Sequence, residues 1–379
     1  MSSLRTRTGS LTVFAIAALL AGCAAAPGQR MITPAAVQET GGDFSSEPAQ
    51  QQNIPITDIN LQLVRKMRTE EAATALPPAT LALFGKPTAY RVGPGDVLQI
   101  VVWDHPELAA ALGQPAASGK TTDAAQGFLI DDQGNVQFPY AGTLHVQGKD
   151  VGTIQKELYS RLSKVYQKPE VTVRVASFRA SQVFIDGEVR TPGAQSINDI
   201  SMSLTSAISQ GGGFSPNADR SRVELIRNGV TYKLNLDDLL KRGQNPSNIY
   251  LQPGDSVRVA SREDSGVYVM GEVNKPATIM PMRNGSLTLS QAISDSGSFD
   301  SNTAATRQLF VIRGSTTDSP QVYHLDATSP VSMILANQFE LEPKDVVYVG
   351  QGGLVRFNRV LNLLLPAINA AVTGAVLAK

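Results

Sequence analysis

Short runs of alternating apolar and polar residues dominate the middle of the chain. Val171, Val173 and Val175 alternate with polar neighbours, the pattern of a half-buried strand. Val97–Trp103 (VLQIVVW) reads as a buried strand. Ile59, Leu61 and Leu63 also alternate with polar positions and predict a short strand, free to join a sheet formed further along. A helical period appears once with force: Val151, Ile154, Leu158, Leu162 and Val165 fall on one face. Turn chemistry punctuates these elements at Gly93-Pro94-Gly95-Asp96 and Asp132-Gln133-Gly134-Asn135. Residues 104–126 read as a long polar loop. The stretch from about Tyr90 to Ser177 is therefore a compact α+β unit.

The next two segments repeat each other. VFIDGEV at Val183–Val189 recurs as VYVMGEV at Val267–Val273, with Pro192 and Pro276 following in register. LTSAISQGGGF at Leu204–Phe214 recurs as LSQAISDSGSF at Leu289–Phe299. Leu225-Ile226-Arg227 returns as Val311-Ile312-Arg313, and LQPGDSV at Leu251–Val257 as LEPKDVV at Leu341–Val347. The spacing between copies widens toward the C-terminal side, as insertions in loops of a duplicated module would make it. Each copy predicts strand, Pro turn, short helix closed by Gly, strand, loop, then a Pro-x-Asp turn into a last strand. The same Pro-x-Asp turn stands at Asp96. In Asp96, Asp255 and Asp345 the carboxylate is expected to close its own turn on backbone N–H groups.

Val355–Lys379 is the most continuously apolar run after the N-terminal segment. From Val355 to Ala378 a helix would be about 36 Å long at about 1.5 Å per residue, enough to cross a hydrocarbon core of roughly 30 Å. At about 100° per residue, Asn358, Asn362, Asn369 and Thr373 share one narrow polar stripe, flanked by Arg359 and Pro366 and broken at its far end by Val376. Leu361, Leu364, Ile368 and Ala371 lie on the apolar side. Spacing alone leaves two readings open: a helix packed on its own domain or at an interface, and a spanning helix whose stripe faces water in a ring of copies.

Composition narrows the function more than the fold. The chain has 379 residues, with 33 basic and 33 acidic side chains, which suits two to four domains. Zero net charge without a basic block makes nucleic acid a poor partner. Gly119-Lys120-Thr121 lacks the spacing and preceding strand of a phosphate-binding loop. His105, His145 and His324 have no paired ligand spacing, so no metal site is expected. Asp131-Asp132 sits on a turn, and no nucleophile elbow occurs. No catalytic residue, cofactor or metal is expected.

The N-terminus reads as an export signal: Arg5 and Arg7, an apolar Leu11–Leu20, then Leu20-Ala21-Gly22-Cys23. This ending resembles the lipobox of bacterial lipoproteins, which implies cleavage before Cys23 and lipidation of that residue. Cys23 is the sole cysteine, so no intramolecular disulfide is possible. Ala24 follows where a retention signal would place Asp, and the same resemblance then implies the outer membrane. Residues 24 to about 56 are rich in Ala, Gln, Pro, Ser and Gly, the composition of a tether.

Four features now stand in order: the lipobox, the YRVGPGD unit running through VVWDHPEL, the doubled GEV…P…AI…G modules, and the terminal RFNRVLNLLLP. Together they resemble the outer-membrane polysaccharide export proteins of the Wza type. The resemblance implies an α+β chain: signal peptide 1–22, lipidated N-terminal tether with added strands 23–87, polysaccharide export domain 88–178, β-grasp-like SLBB modules at 180–262 and 265–351, and a C-terminal amphipathic transmembrane helix at 354–379. It implies a homo-oligomeric ring, an octamer in the best-known member, whose terminal helices wall an α-helical pore in the outer membrane. Asn358, Asn362, Asn369 and Thr373 would line it, with Leu361, Leu364, Ile368 and Ala371 toward outer-membrane lipids, Arg356 and Arg359 at the periplasmic mouth, and Lys379 outside the cell. The implied partners are the polysaccharide itself and an inner-membrane copolymerase of the tyrosine autokinase type. The alternative is a periplasmic glycan-binding or scaffolding lipoprotein without a pore, its terminal helix merely docked.

Overall fold

The computed structural model describes residues 35–39, 50–105, 108, 126–314 and 320–352. They divide into two compact units. One combines the described residues up to 75 with those from 262 onward; the other is Leu76–Ser261.

The first unit begins with an antiparallel pair, β1 (Ala35–Glu39) and β2 (Gln50–Ile54). A short β3 (Ile56–Asp58) and a helix α1 (Leu61–Ala73) follow. Here the alternation of Ile59, Leu61 and Leu63 misleads, because the chain turns helical after Asn60. The Asn60 carboxamide accepts the Leu63 N–H at 2.9 Å, which supplies a partner that the first helical turn lacks. Val64 is then buried and Leu63 and Met67 pack beside it, a helical spacing, while Leu61 stays half exposed.

The second unit opens with a one-turn α2 (Pro78–Leu81). The α+β segment that follows holds β4 (Val97–Val102), β5 (Phe128–Leu129), a β6–β7 hairpin (Asn135–Phe138, Gly142–His145), α3 (Val151–Leu162) and β8 (Val171–Ser177). β4 lies between β5 and β8, antiparallel to both, with Ile100 opposite Val173. The predicted helical face is buried at Ile154, Leu158 and Leu162, against Leu98, Ile100 and Phe138. Asp150 caps the helix by accepting the Thr153 N–H at 2.9 Å. Val165 falls outside that face: the helix stops at Leu162 and Val165 is exposed.

The rest of that unit is the first repeat. It contains β9 (Gln182–Gly187), β10 (Gly193–Ser196), α4 (Leu204–Gln210), β11 (Ala218–Arg227), β12 (Val230–Leu234), α5 (Leu236–Lys241) and β13 (Ser256–Ser261). The second repeat, in the first unit, contains β14 (Val267–Gly271), β15 (Ala277–Ile279), α6 (Leu289–Asp295), β16 (Ala304–Arg313), β17 (Gln321–Leu325), α7 (Ser332–Gln338) and β18 (Val346–Gln351). The sheets run β10-β9-β13-β11-β12 and β15-β14-β18-β16-β17, with β9∥β13 and β14∥β18 as the parallel pairs. The duplication read from sequence is thus a duplication of topology. Ser203 and Thr288 cap the equivalent helices, each accepting an N–H at 3.2 Å. Gly187 and Gly271, the glycines of the two GEV motifs, sit at φ +80° and +94°. A Cβ at either would collide with the carbonyl of Val259 or Val349 on the parallel neighbour.

The repeats differ at one edge. β3 adds to β17 in parallel, with Val322 opposite Ile56 and His324 opposite Asp58. Among the described residues the sheet of the first repeat ends at β12. Among the described residues no helix is long and apolar enough to cross a membrane. The predicted helix at 354–379 lies outside the described residues, as do Cys23 and the predicted signal segment at 1–22.

Candidate functional site

Three turns carry buried carboxylates. Asp96, Asp255 and Asp345 are at most 2% exposed. Each accepts the N–H three residues back: Gly93 at 3.0 Å, Gln252 at 2.8 Å and Glu342 at 2.9 Å. These are the turn closures expected from sequence. The charge compensation was not expected. Arg227 donates to Asp255 from Nε at 3.0 Å and from Nη2 at 2.6 Å, and its Nη2 also reaches the Tyr250 carbonyl at 2.8 Å. Arg313 repeats the arrangement on Asp345, with Nη2 at 2.9 Å from the carboxylate and 2.9 Å from the Glu340 carbonyl. Its guanidinium also lies over Tyr323 and Phe339, 5.4 Å from each ring centre.

A buried carboxylate is tolerable only when paired and hydrogen-bonded. Burial pushes the Asp345 carboxyl above the usual carboxylate range, and Arg313 with the Glu342 N–H pulls it back. At Asp96 the surroundings are different. Tyr90 donates its hydroxyl at 2.7 Å, and the N–H groups of Arg179 and Ala180 donate at 2.8 Å each. Burial and the Asp96 carboxylate hold the Tyr90 phenol far above its ordinary value, so it stays a donor. The three turns fix where β4, β13 and β18 begin. β18 ends at Gln351, just before the apolar C-terminal run.

The outer faces of the two repeats show what the duplication has changed. In the first, Glu224 lies opposite Lys233 on one side and Arg258 on the other. In the second, the same register positions hold Phe310 between His324 and Tyr348. The charged triplet suits water. Phe310 and Tyr348 belong to a second small core, buried with Val322 and Ile54. The segment before α1 therefore covers the face of the second repeat. His324 adds polar ties to it: Nδ1 lies 2.7 Å from the Asp58 carboxylate and Nε2 lies 2.8 Å from the Arg307 carbonyl.

A groove opens between the start of β8 and the exposed stripe of α3, with a cavity volume of about 570 Å³. Gly152, Gln155, Lys156 and Tyr159 line it from one helical face. Trp103, Glu170 and Thr172 line the strand side. Trp103 corrects the sequence reading: β4 stops at Val102, and the indole is 57% exposed rather than buried. Its backbone N–H donates to the Glu170 carbonyl at 2.9 Å, and its Nε1 donates to Thr172 Oγ1 at 3.0 Å.

The residues singled out in advance, Cys23, Asn358, Asn362, Asn369, Thr373, Leu361, Leu364, Ile368 and Ala371, all lie outside the described residues. Among the described residues no cluster of metal-ligating side chains occurs.

Comparison with known proteins matches three stretches of the chain. Residues 85–176 match the polysaccharide biosynthesis/export protein family, and residues 181–259 and 265–349 each match the SLBB domain. The chain is similar to the EPS I polysaccharide export outer membrane protein EpsA of Ralstonia nicotianae, with 43% identity over 373 residues, 95% of each chain. It is also similar to the capsule polysaccharide export outer membrane protein CtrA of Neisseria meningitidis serogroup B, at 26% over 94% of each chain. The Vi polysaccharide export protein VexA/TviF of Salmonella typhi is 27% identical over 70% of this chain and 75% of its own length.

Proposed function

The chain belongs to the family of outer-membrane polysaccharide export proteins, and we propose that it is a lipid-anchored subunit of a homo-oligomeric export channel. The family transports and does not catalyse. Lipid on Cys23 holds the N-terminus at the outer membrane. The helix at 354–379 lines a pore with Asn358, Asn362, Asn369 and Thr373, and turns Leu361, Leu364, Ile368 and Ala371 to lipid. Neutral amides and a hydroxyl exchange hydrogen bonds with sugar hydroxyls without a charge to hold them. The polysaccharide arrives from an inner-membrane copolymerase.

The observation that carries this reading is that the covering strand β3 and the C-terminal strand β18 belong to one sheet. The lipidated tether precedes β3, and the apolar run follows β18. One sheet thus contains both a strand that follows the tether and the strand that precedes the apolar run. A closed ring of identical subunits then turns one helix per chain into a wall, with every backbone group in lipid bonded within its helix.

Truncation after Gly353 tests the proposal. The shortened protein is expected to remain lipidated and periplasmic while surface polysaccharide disappears. Undiminished surface polymer would contradict it and favour a non-pore scaffold.

A further inference from the structure

We infer that the groove between α3 and the start of β8 is a binding subsite for an uncharged sugar residue of the exported polymer, with Trp103 as its stacking platform. The inference rests on the export reading and names a place on the chain where that cargo is held.

The indole is fixed before any ligand arrives. Its N–H is engaged by Thr172 and its backbone by Glu170, so only the flat face is offered. An aromatic face with its polar handle satisfied attracts the apolar C–H face of a pyranose. Tyr159, seven residues along α3 from Gly152, supplies a second half-exposed ring on the other wall. Gly152 leaves that wall without a side chain at one end.

The polar lining is balanced. Among the described residues Lys156 and Glu170 have no ion-pair partner, and they contribute one charge of each sign. Gln155 donates its Nε2 to the Val171 carbonyl at 2.8 Å, which leaves its carbonyl oxygen as an acceptor toward the groove. Donor, acceptor and anion around two rings match hydroxyls, which both donate and accept. A phosphate or a strongly acidic segment would meet Glu170 as well as Lys156 and gain no net charge attraction. The volume of about 570 Å³ lies within the range of small-ligand sites, roughly 300–1,000 Å³.

Trp103 is the only tryptophan in the chain, so emission excited at the red edge, where the indole absorbs and the nine tyrosines do not, reports on this groove alone. The probes are maltoheptaose and the polysaccharide released from cells that make this protein, titrated into detergent-extracted full-length protein. A saturable change in Trp103 emission with the polysaccharide is expected. Tyr159→Ala and Lys156→Ala, both at exposed positions, are expected to weaken it about threefold to tenfold. Maltoheptaose saturating the same signal supports a site for neutral hexoses in general; its silence beside a polymer response narrows the site to that polymer's residues.

No saturable change with the polysaccharide overturns the inference. So does an emission change on dilution to monomers with none on adding sugar, which would make the groove a contact between copies. The outcome is separable from the export reading: a failed titration beside a polymer-free Gly353 truncation removes the subsite and leaves the channel.

Discussion

Arg313→Met removes the charge that makes a buried Asp345 tolerable while keeping an apolar stem of similar length. The variant strips the guanidinium bonds from the carboxylate and leaves the Glu342 N–H at 2.9 Å as its partner. Breaking one side of a buried pair costs about 3–5 kcal/mol. The cost has a ceiling, because Asp345 escapes it by taking a proton. From an unfolded-state value of about 3.9, holding that proton at pH 7 costs about 4 kcal/mol, and at pH 5 about 1.5 kcal/mol. The variant's folded-state pKa is raised above the unfolded one, so its stability is best at low pH and is lost as pH rises.

Hydrogen exchange of the β18 amides, Val346–Gln351, reads this locally. Protection is expected to fall about 10²- to 10³-fold at pH 7 and about tenfold at pH 5. Adding Asp345→Asn should recover most of the loss and abolish its pH dependence. Protection equal to the parent, or a loss of the same size at both pH values, would refute the reasoning. Arg227→Met should reproduce the effect on β13 and leave β18 alone.

Three further outcomes follow from the geometry. Gly271→Ala should destabilise the chain by more than ~1 kcal/mol, because its Cβ meets the Val349 carbonyl; thermal unfolding of the full chain measures it, with Gly254→Ala, also at positive φ but in open space, as the control for conformation without collision. Phe310→Glu, which gives the second repeat the residue found at Glu224 of the first, should speed proteolytic cutting around residues 50–58, since the small core around Ile54 and Tyr348 loses a buried aromatic ring; unchanged cutting would mean that β3 alone holds the segment. Hydrogen bonds from Thr153 depress the Asp150 carboxyl, so its support of α3 is full above about pH 3.9 and is lost as pH falls through the depressed value; the gap in α3 amide protection between parent and Asp150→Ala should close over that descent.

The duplicated modules were legible because Gly, Pro and Asp each answer a local backbone demand, and those demands recur in order. The arginine partners were harder to see. Arg227 and Arg313 lie 28 and 32 residues from the carboxylates they meet, and only their recurrence at matching positions signals a shared task. The covered face of the second repeat left a plainer trace. Leu309-Phe310-Val311-Ile312 is continuous where Val223-Glu224-Leu225-Ile226 is interrupted by a charge, and continuous apolar strands are buried on both faces. Alternation at Ile59 to Leu63 failed because a single asparagine cap outweighed a pattern of three residues. Trp103 was read into the strand by its apolar neighbours, although one residue past the ladder its ring lies in solvent.

The central claim is that the stripe beginning at Asn358 faces the path of the polymer. Asn362→Cys and Leu364→Cys, each in a chain whose sole native cysteine is Cys23, test it with a water-soluble thiol reagent on intact cells, with the parent chain as the labelling blank. The account predicts fast labelling at position 362 and slow labelling at position 364. Equal rates at the two positions would contradict it.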